Sequence, residues 1–309
     1  MEQEALRKDC INVFFQINYM KFADLHIHTS ASDGTDNLGT RVRDAKAKGL
    51  SCIAITDHDT LHPLLEESVQ IIDGLEVISG SEIEVELDGF KIDLLVYFVS
   101  KGENRFSRLV DTIYKKRVER MKEMIERVNE MIDSEIFFEE VDNLADNVLV
   151  RPHLGKVLVE KGEAKNLDEA YEKFISSESY AYVPLDILNS KELIDIVHDC
   201  GGIVSLAHPG RSIPKGEFPS LLEKLVEQGL DAIETEYYYK GFGNVSDRYF
   251  FGNGYARKMC DAYNLLVTGG SDCHGCLSHH YTIGKKMLYY GYVEELKNRW
   301  KEIKSMNDP

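Results

Sequence analysis

Seven short apolar runs rich in β-branched residues constrain this chain more than any other feature. They lie near Ala23–Ile27, Ser51–Thr56, Glu76–Glu82, Lys91–Phe98, Gly202–Ala207, Ala232–Glu236 and Leu265–Thr268. Amphipathic helical stretches separate several of them. Asn189 and Ser190 cap one ending at Gly201, another runs from Pro219 to Gln228 and stops at Gly229, and a third spans Val245–Tyr263. Buried strands alternating with helices predict an α/β fold with mainly parallel strands. Asp88-Gly89 between two strand-like runs predicts one hairpin.

The pattern changes after the hairpin. From Glu103 to Asp133 the chain is charge-rich, with Ile113, Val118, Met121, Met124, Ile125 and Val128 at helical spacing. Helical pattern continues through Leu154–Val159, and Asn166 with Glu169 predicts a capped start to the next helix. Residues 102–181 therefore read as a helical insert in a barrel built from 20–101 and 182–309. Residues 1–19 precede a second possible start at Met20 and form an N-terminal extension.

Polar residues at the ends of these runs carry the chemistry. The first ends Asp24-Leu25-His26-Ile27-His28, and alternate residues of a strand share a face, so His26 and His28 can address one ion. Asp33 follows in a Gly-turned loop. The second run ends Thr56-Asp57-His58-Asp59 and the third Gly80-Ser81-Glu82. Later runs end Ala207-His208-Pro209-Gly210-Arg211 and Gly270-Ser271-Asp272-Cys273-His274. A single strand ending in an ionisable residue is commonplace, and an exposed strand face or a cap explains it. Five on the C-terminal rim of a β/α barrel, where such folds bind ligands, are better explained by metal.

Four residues have two readings each. His153, in Arg151-Pro152-His153, opens a helix and is either a ligand or an exposed first-turn histidine. Asp93 is a carboxylate inside an apolar strand, so it meets a cation or a wet face. Arg151 and Arg211 suit bidentate phosphate binding, with surface ion pairs as the alternative. His62, His198, His279 and His280 read as surface residues. Tyr237, Tyr238 and Tyr239 suit stacking on a base or simple packing.

Mixed nitrogen and oxygen ligands favour zinc, manganese or iron over magnesium or calcium. A hydroxide bridging two such ions would attack a phosphate without a side-chain nucleophile. The net charge of −17 disfavours long nucleic acids and leaves a small phosphorylated substrate as the expected partner. No apolar run approaches the roughly 18 residues of a membrane helix. The scattered cysteines, including the lone Cys273/Cys276 pair, suggest neither disulfides nor a zinc knuckle. A cytoplasmic location is expected.

The ordered motifs at 24–28, 56–59, 80–82, 151–153, 207–209 and 270–274 resemble those of the PHP (polymerase and histidinol phosphatase) family across roughly 22–276. The resemblance implies a distorted seven-stranded β/α barrel and a metal-dependent phosphoesterase. It is nearest the stand-alone members, some of which dephosphorylate nucleoside 3′,5′-bisphosphates or trim short RNA 5′ ends. It implies that His26, His28, Glu82 and Asp272 hold one metal and that Asp33, His58 and His274 hold another. Glu82 and His153 would serve a third, with Asp93 standing where the family has histidine. His208 and Arg211 match positions that face the substrate phosphate. Short-oligonucleotide exonuclease and amidohydrolase-like activities are the alternatives. The strand ends lack the metal-bridging lysine of many amidohydrolases.

Overall fold

The structure, a computed structural model, describes residues 20–307 apart from 146, 187, 240–250 and 276–281. Its strands are β1 (Phe22–Asp24), β2 (Cys52–Ile55), β3 (Val69–Ile72), β4 (Leu75–Leu87), β5 (Phe90–Tyr97), β6 (Leu188–Asn189), β7 (Ile203–Leu206), β8 (Ala232–Glu236), β9 (Leu266–Gly269) and β10 (Leu288–Tyr289). Its helices are α1 (Leu38–Ala47), α2 (Arg105–Asn129), α3 (Phe138–Asp142), α4 (Arg151–Glu160), α5 (Leu167–Ala170), α6 (Ser190–Asp199), α7 (Pro209–Ser212), α8 (Phe218–Gln228), α9 (Asn253–Ala262) and α10 (Tyr290–Asn307). A π-helical turn, Tyr171–Ile175, follows α5.

Strands β1-β2-β4-β5-β7-β8-β9 are neighbours in that order, and β10 flanks β1. These seven match the seven apolar runs. The path curls back on itself: Leu25 N–H donates to the Gly269 carbonyl at 3.0 Å, Asp272 N–H to His26 at 2.8 Å and His28 N–H to Cys273 at 3.0 Å. Residues after β1 thus pair with residues after β9, and the barrel closes at the rim that carries the motifs. Of these seven strands β5 departs from the parallel expectation, running antiparallel to both β4 and β7, and the flanking β3 and β10 also pair antiparallel. The hairpin dictates the reversal of β5, since Asp88 (φ 52°) and Gly89 (φ 82°) both adopt the left-handed conformation that a two-residue turn requires.

Helix boundaries follow their caps. Asn189 accepts the Glu192 N–H at 3.0 Å at the start of α6, and Asn166 accepts the Glu169 N–H at 2.9 Å at the start of α5. Gly229, left-handed at φ 105°, ends α8. The third expected helix is shorter than its sequence pattern: α9 begins at Asn253, and residues 245–250 lie outside the described residues. The N-terminal extension, Cys276, His279 and His280 also lie outside them.

The buried apolar side chains form distinct clusters. One fills the barrel and the space beneath α6, α8 and α10. Another is lined by Met121, Met124, Ile125 and Val128 of α2 together with α3, α4 and the π turn. Helix α2 serves both: Phe106 belongs to the barrel cluster and Val128 to the other. One element is thereby shared by the two cores, which couples the helical segment to the rim.

Gly80 sits where β4 changes neighbours. A Cβ there would lie 2.4 Å from the Val96 carbonyl oxygen and 3.2 Å from Thr56 Cγ2. Overpacking of this kind typically costs about 1–3 kcal/mol. Gly80→Ala is therefore expected to lower the urea unfolding midpoint by a corresponding amount. A midpoint equal to that of the wild type would mean the β4–β5 backbones are not held this close.

Candidate metal centre

Parallel strands bring their C-terminal ends to one rim, and the ionisable residues follow them there. His26 and His28 continue β1, His58 follows β2, Glu82 lies in β4, His208 follows β7 and Asp272 follows β9. Because β5 is reversed, Asp93 reaches the same rim from within the strand, paired opposite Glu84.

Three groups of potential ligands result. In the first, His26 Nε2 lies 3.2 Å from Glu82 and 3.4 Å from Asp272, and His28 Nε2 lies 3.1 Å and 3.2 Å from the same two carboxylates. In the second, Asp33 lies 3.7 Å from His28, 3.7 Å from His58 and 3.4 Å from His274. The third comprises Glu82, Asp93 and His208, with His208 Nε2 2.9 Å from Glu82 and 3.9 Å from Asp93. Glu82 belongs to the first and third groups, and its Oε2 is also 3.5 Å from His58. His28 belongs to the first two, with one ring nitrogen toward each.

The donor set fits divalent ions. Among the described residues, both ring nitrogens of buried His28 lack a hydrogen-bond partner, although carboxylate oxygens lie close to each. Ring nitrogens and carboxylate oxygens converging on one place in this way suit a cation between them once the rings give up their protons. Burial alone would pull the His28 pKa down, yet Asp272 and Glu82 outweigh it and hold it at about 10. Burial is likewise overcome at His26 by Glu82, Glu234 and Asp272, which raise its pKa. The same contacts keep Glu82 and Asp272 well below the usual carboxylate range despite burial. Asp93 goes the other way: burial and then the Glu82 charge push it up to about 6, against the pull of His208.

Residues to which the sequence assigns no role hold this arrangement. Glu234, buried in β8, lies 3.1 Å from His26 Nδ1 and accepts the His208 N–H at 2.8 Å. It thereby fixes the His26 ring with Nε2 toward the first group. A carboxylate within an apolar strand was its only sequence signal. Asp57 accepts Thr29 N–H, Thr29 Oγ1 and Ser32 Oγ, each at 2.7 Å, and so pins the loop that carries Asp33. Arg41, buried in α1, donates to the His28 carbonyl at 2.9 Å. Asp24 accepts Ser271 N–H and Gly284 N–H at 2.8 Å each, tying β1 to the Asp272 loop. His208 (φ 24°) and Asp272 (φ 53°) hold left-handed backbone that side chains other than glycine rarely adopt. Such strain persists only where surrounding contacts enforce it.

Several side chains stand differently from expectation. His153 belongs to none of the three groups among the described residues. It occupies the third position of α4, and its Nδ1 turns back toward the Val150 N–H at 3.5 Å. His208 takes the third-group place that His153 was expected to fill. Arg211 Nη1 lies 3.4 Å from Asp272, at the edge of the first group. Arg151 stands apart, donating to the Ile175 carbonyl at 3.1 Å and lining a cavity of about 460 Å³ that opens onto Asp33, His58 and Asp93. Asp59, next to His58, is bound through its carboxylate by Arg117 of α2. Tyr237 is buried with its hydroxyl donating to Asp272 at 2.9 Å, and Tyr239 Oη accepts the Gly210 N–H at 3.1 Å, so these two serve packing and positioning. His62 is buried rather than exposed, and His198 lies 2.7 Å from Asp231.

At neutral pH the elevated His26 and His28 pKa values mean that the metal-free rings carry protons, and ligation requires their lone pairs. Metal uptake at pH 7 is therefore expected to release protons, and apparent affinity to fall as pH is lowered. Calorimetric titration of Mn²⁺ or Zn²⁺ in two buffers of different ionisation enthalpy measures this. Uptake without proton release would contradict the imidazolium–carboxylate pairing.

The chain matches the PHP domain family over residues 24–239. It is 30% identical to the 5′-3′ exoribonuclease Rnm of Escherichia coli (strain K12) over 71% of this chain and 76% of that protein. It is 24% identical to a 3′,5′-nucleoside bisphosphate phosphatase of Chromobacterium violaceum over 81% of this chain and 86% of that protein. The crystal structure of a putative metal-dependent phosphoesterase from Bifidobacterium adolescentis superposes with a TM-score of 0.72 at 26% identity, covering 90% of this chain and 96% of that one.

Proposed function

The chain belongs to the PHP family of metal-dependent phosphoesterases, and from that premise we propose that it hydrolyses a phosphate monoester of a small nucleotide, such as a nucleoside 3′,5′-bisphosphate. The observation that carries this reading is the convergence of nine imidazoles and carboxylates into three contiguous groups at one barrel rim. His26, His28, Glu82 and Asp272 would hold one ion and Asp33, His58 and His274 a second, with His28 within reach of both. Glu82, Asp93 and His208 would hold a third, with His208 rather than His153 as the nitrogen ligand. Manganese, zinc and iron all suit this donor set.

Such ions, when bound, polarise phosphoryl oxygens and acidify water enough for it to attack phosphorus at neutral pH. The protein's part is orientation and charge. Glu234, at His26 Nδ1, would hold the proton there and leave Nε2 for an ion, and Tyr237 fixes the second oxygen of Asp272. Arg211, beside Asp272 at the rim, is the guanidinium best situated for the reacting phosphate. The acidic surface favours short substrates. No helix among the described residues is long and apolar enough to cross a membrane. The free thiols of Cys52, Cys200 and Cys260 are compatible with a reducing cytoplasm.

A second reading, trimming of short RNA from the 5′ end, draws support from another cavity of about 470 Å³. Asp33 and His274 line it together with Ser30, Ser32, His153 and Lys156. A chain extending past the scissile phosphate would fit there.

Manganese-loaded protein is expected to release inorganic phosphate from p-nitrophenyl phosphate or a nucleotide. His26→Ala and Asp272→Ala should each lower kcat/KM by about 10³-fold or more, the several kcal/mol that ions contribute to transition-state charge. Full activity in either variant would remove the assignment.

A further inference from the structure

The cavity that opens onto Asp33, His58 and Asp93 also holds two guanidiniums that no carboxylate pairs among the described residues. Arg117, Arg120 and Arg151 line it. Arg117 is neutralised by Asp59. Arg120 and Arg151 make no ion pair among the described residues: Arg120 Nε donates to the Val183 carbonyl at 2.6 Å, and Arg151 Nη1 to that of Ile175 at 3.1 Å. Both guanidiniums lie over the same ring, 5.3 Å and 5.5 Å from the centroid of Tyr182. Other acids lining the cavity are already engaged, Glu84 by Lys91 at 3.1 Å and Asp186 by Lys116 at 2.7 Å.

Two adjacent cations in a partly buried place repel one another, and burial weakens their hydration. Burial and the Arg151 charge accordingly pull the Arg120 pKa down to about 10, which still leaves it charged at neutral pH. On a chain with 53 acidic and 36 basic residues, a carboxylate could readily have compensated the pair. Each guanidinium has five N–H donors, and only one donor of each is bonded to a carbonyl among the described residues. An anion would offset the repulsion and take up donors in the fork geometry that phosphate matches. The volume of about 460 Å³ falls in the range of small-ligand sites.

We propose that Arg120 and Arg151, gathered on Tyr182, form a second anion subsite that holds a phosphate of the substrate other than the one hydrolysed. This rests on the phosphomonoesterase reading above and names its substrate class: a molecule with two phosphates, one at the metal centre and one at the insert. The second phosphate is either the other monoester of a bisphosphate or the next phosphodiester of a short RNA.

The test uses manganese-loaded, full-length protein. Its readout is kcat/KM for adenosine 3′,5′-bisphosphate, and for a 5′-phosphorylated adenylyl dinucleotide, relative to adenosine 3′- and 5′-monophosphates. Wild type should favour a doubly phosphorylated substrate by about 10-fold or more. Arg120→Met should reduce that preference about 10- to 100-fold, chiefly through KM, the loss expected for a buried charge-assisted contact. Arg120→Lys should restore part of it. Arg151→Met is the independent variant should Arg120→Met fail to fold by circular dichroism. Collapse of the bisphosphate preference identifies a monoester, and collapse of the dinucleotide preference a phosphodiester. Preferences unchanged in both methionine variants, or absent in wild type, overturn the subsite. If wild type hydrolyses none of these substrates nor p-nitrophenyl phosphate, the phosphomonoesterase reading fails separately. Calorimetric binding of adenosine 3′,5′-bisphosphate then decides the subsite: at least about 10-fold weaker binding in Arg120→Met upholds it, and equal affinity overturns it.

Discussion

The Glu82 carboxylate is the point on which the rim is organised. It is buried, and His26, His28, His58 and His208 all approach it within 3.5 Å. A carboxylate in such a place is tolerable only among compensating charges. Buried Asp272 and Glu234 face the same problem, half-buried Asp33 and Asp93 a milder one, and the imidazoles are shared among them. No member can be understood alone. Removing one imidazole leaves an acid uncompensated, and removing one acid leaves a ring without its orienting partner.

That dependence explains how much of the surrounding structure is devoted to placement. Asp57 accepts three hydrogen bonds to hold one loop. Asp24 bridges β1 to the segment that carries Asp272. His208 and Asp272 occupy backbone conformations that cost free energy and are stabilised by the contacts around them. The barrel closes through hydrogen bonds between residues 25–28 and 269–273, the same stretches that carry His26, His28 and Asp272. The contacts that close the barrel therefore also bring the residues of the centre together.

The helical segment contributes a charge of opposite sign. The protein as a whole is strongly acidic, yet Arg117, Arg120 and Arg151 converge over the rim. A locally positive wall beside a cluster of acids and imidazoles gives a small anion a favourable approach that net charge alone would deny. Helix α2 carries two of those arginines while packing into both hydrophobic clusters, so its register sets their position.

Periodicity and strand-end composition alone identified the seven barrel strands, the hairpin, the capped helices and the rim clustering of His26, His28, His58, Glu82, Asp272 and His274. Strand alternation and the common direction of parallel strands make those features local or nearly so. The reversal of β5 was implied by its turn, but its consequence for Asp93 was not, because which rim a mid-strand residue reaches depends on its neighbours. Glu234 was missed for the same reason: one acid in an apolar run reveals its importance only when His26 and His208, far away in sequence, arrive beside it. The exchange of His153 for His208 in the third group, and the meeting of Arg120 with Arg151 on Tyr182, depend on how helices pack over the rim. Sequence by itself determined which residues could bind ions and on which elements they ride, since those follow from covalent neighbours and repeat period. Tertiary structure decided which of them share a site, because charges scattered along the chain acquire partners only when packing removes the water between them.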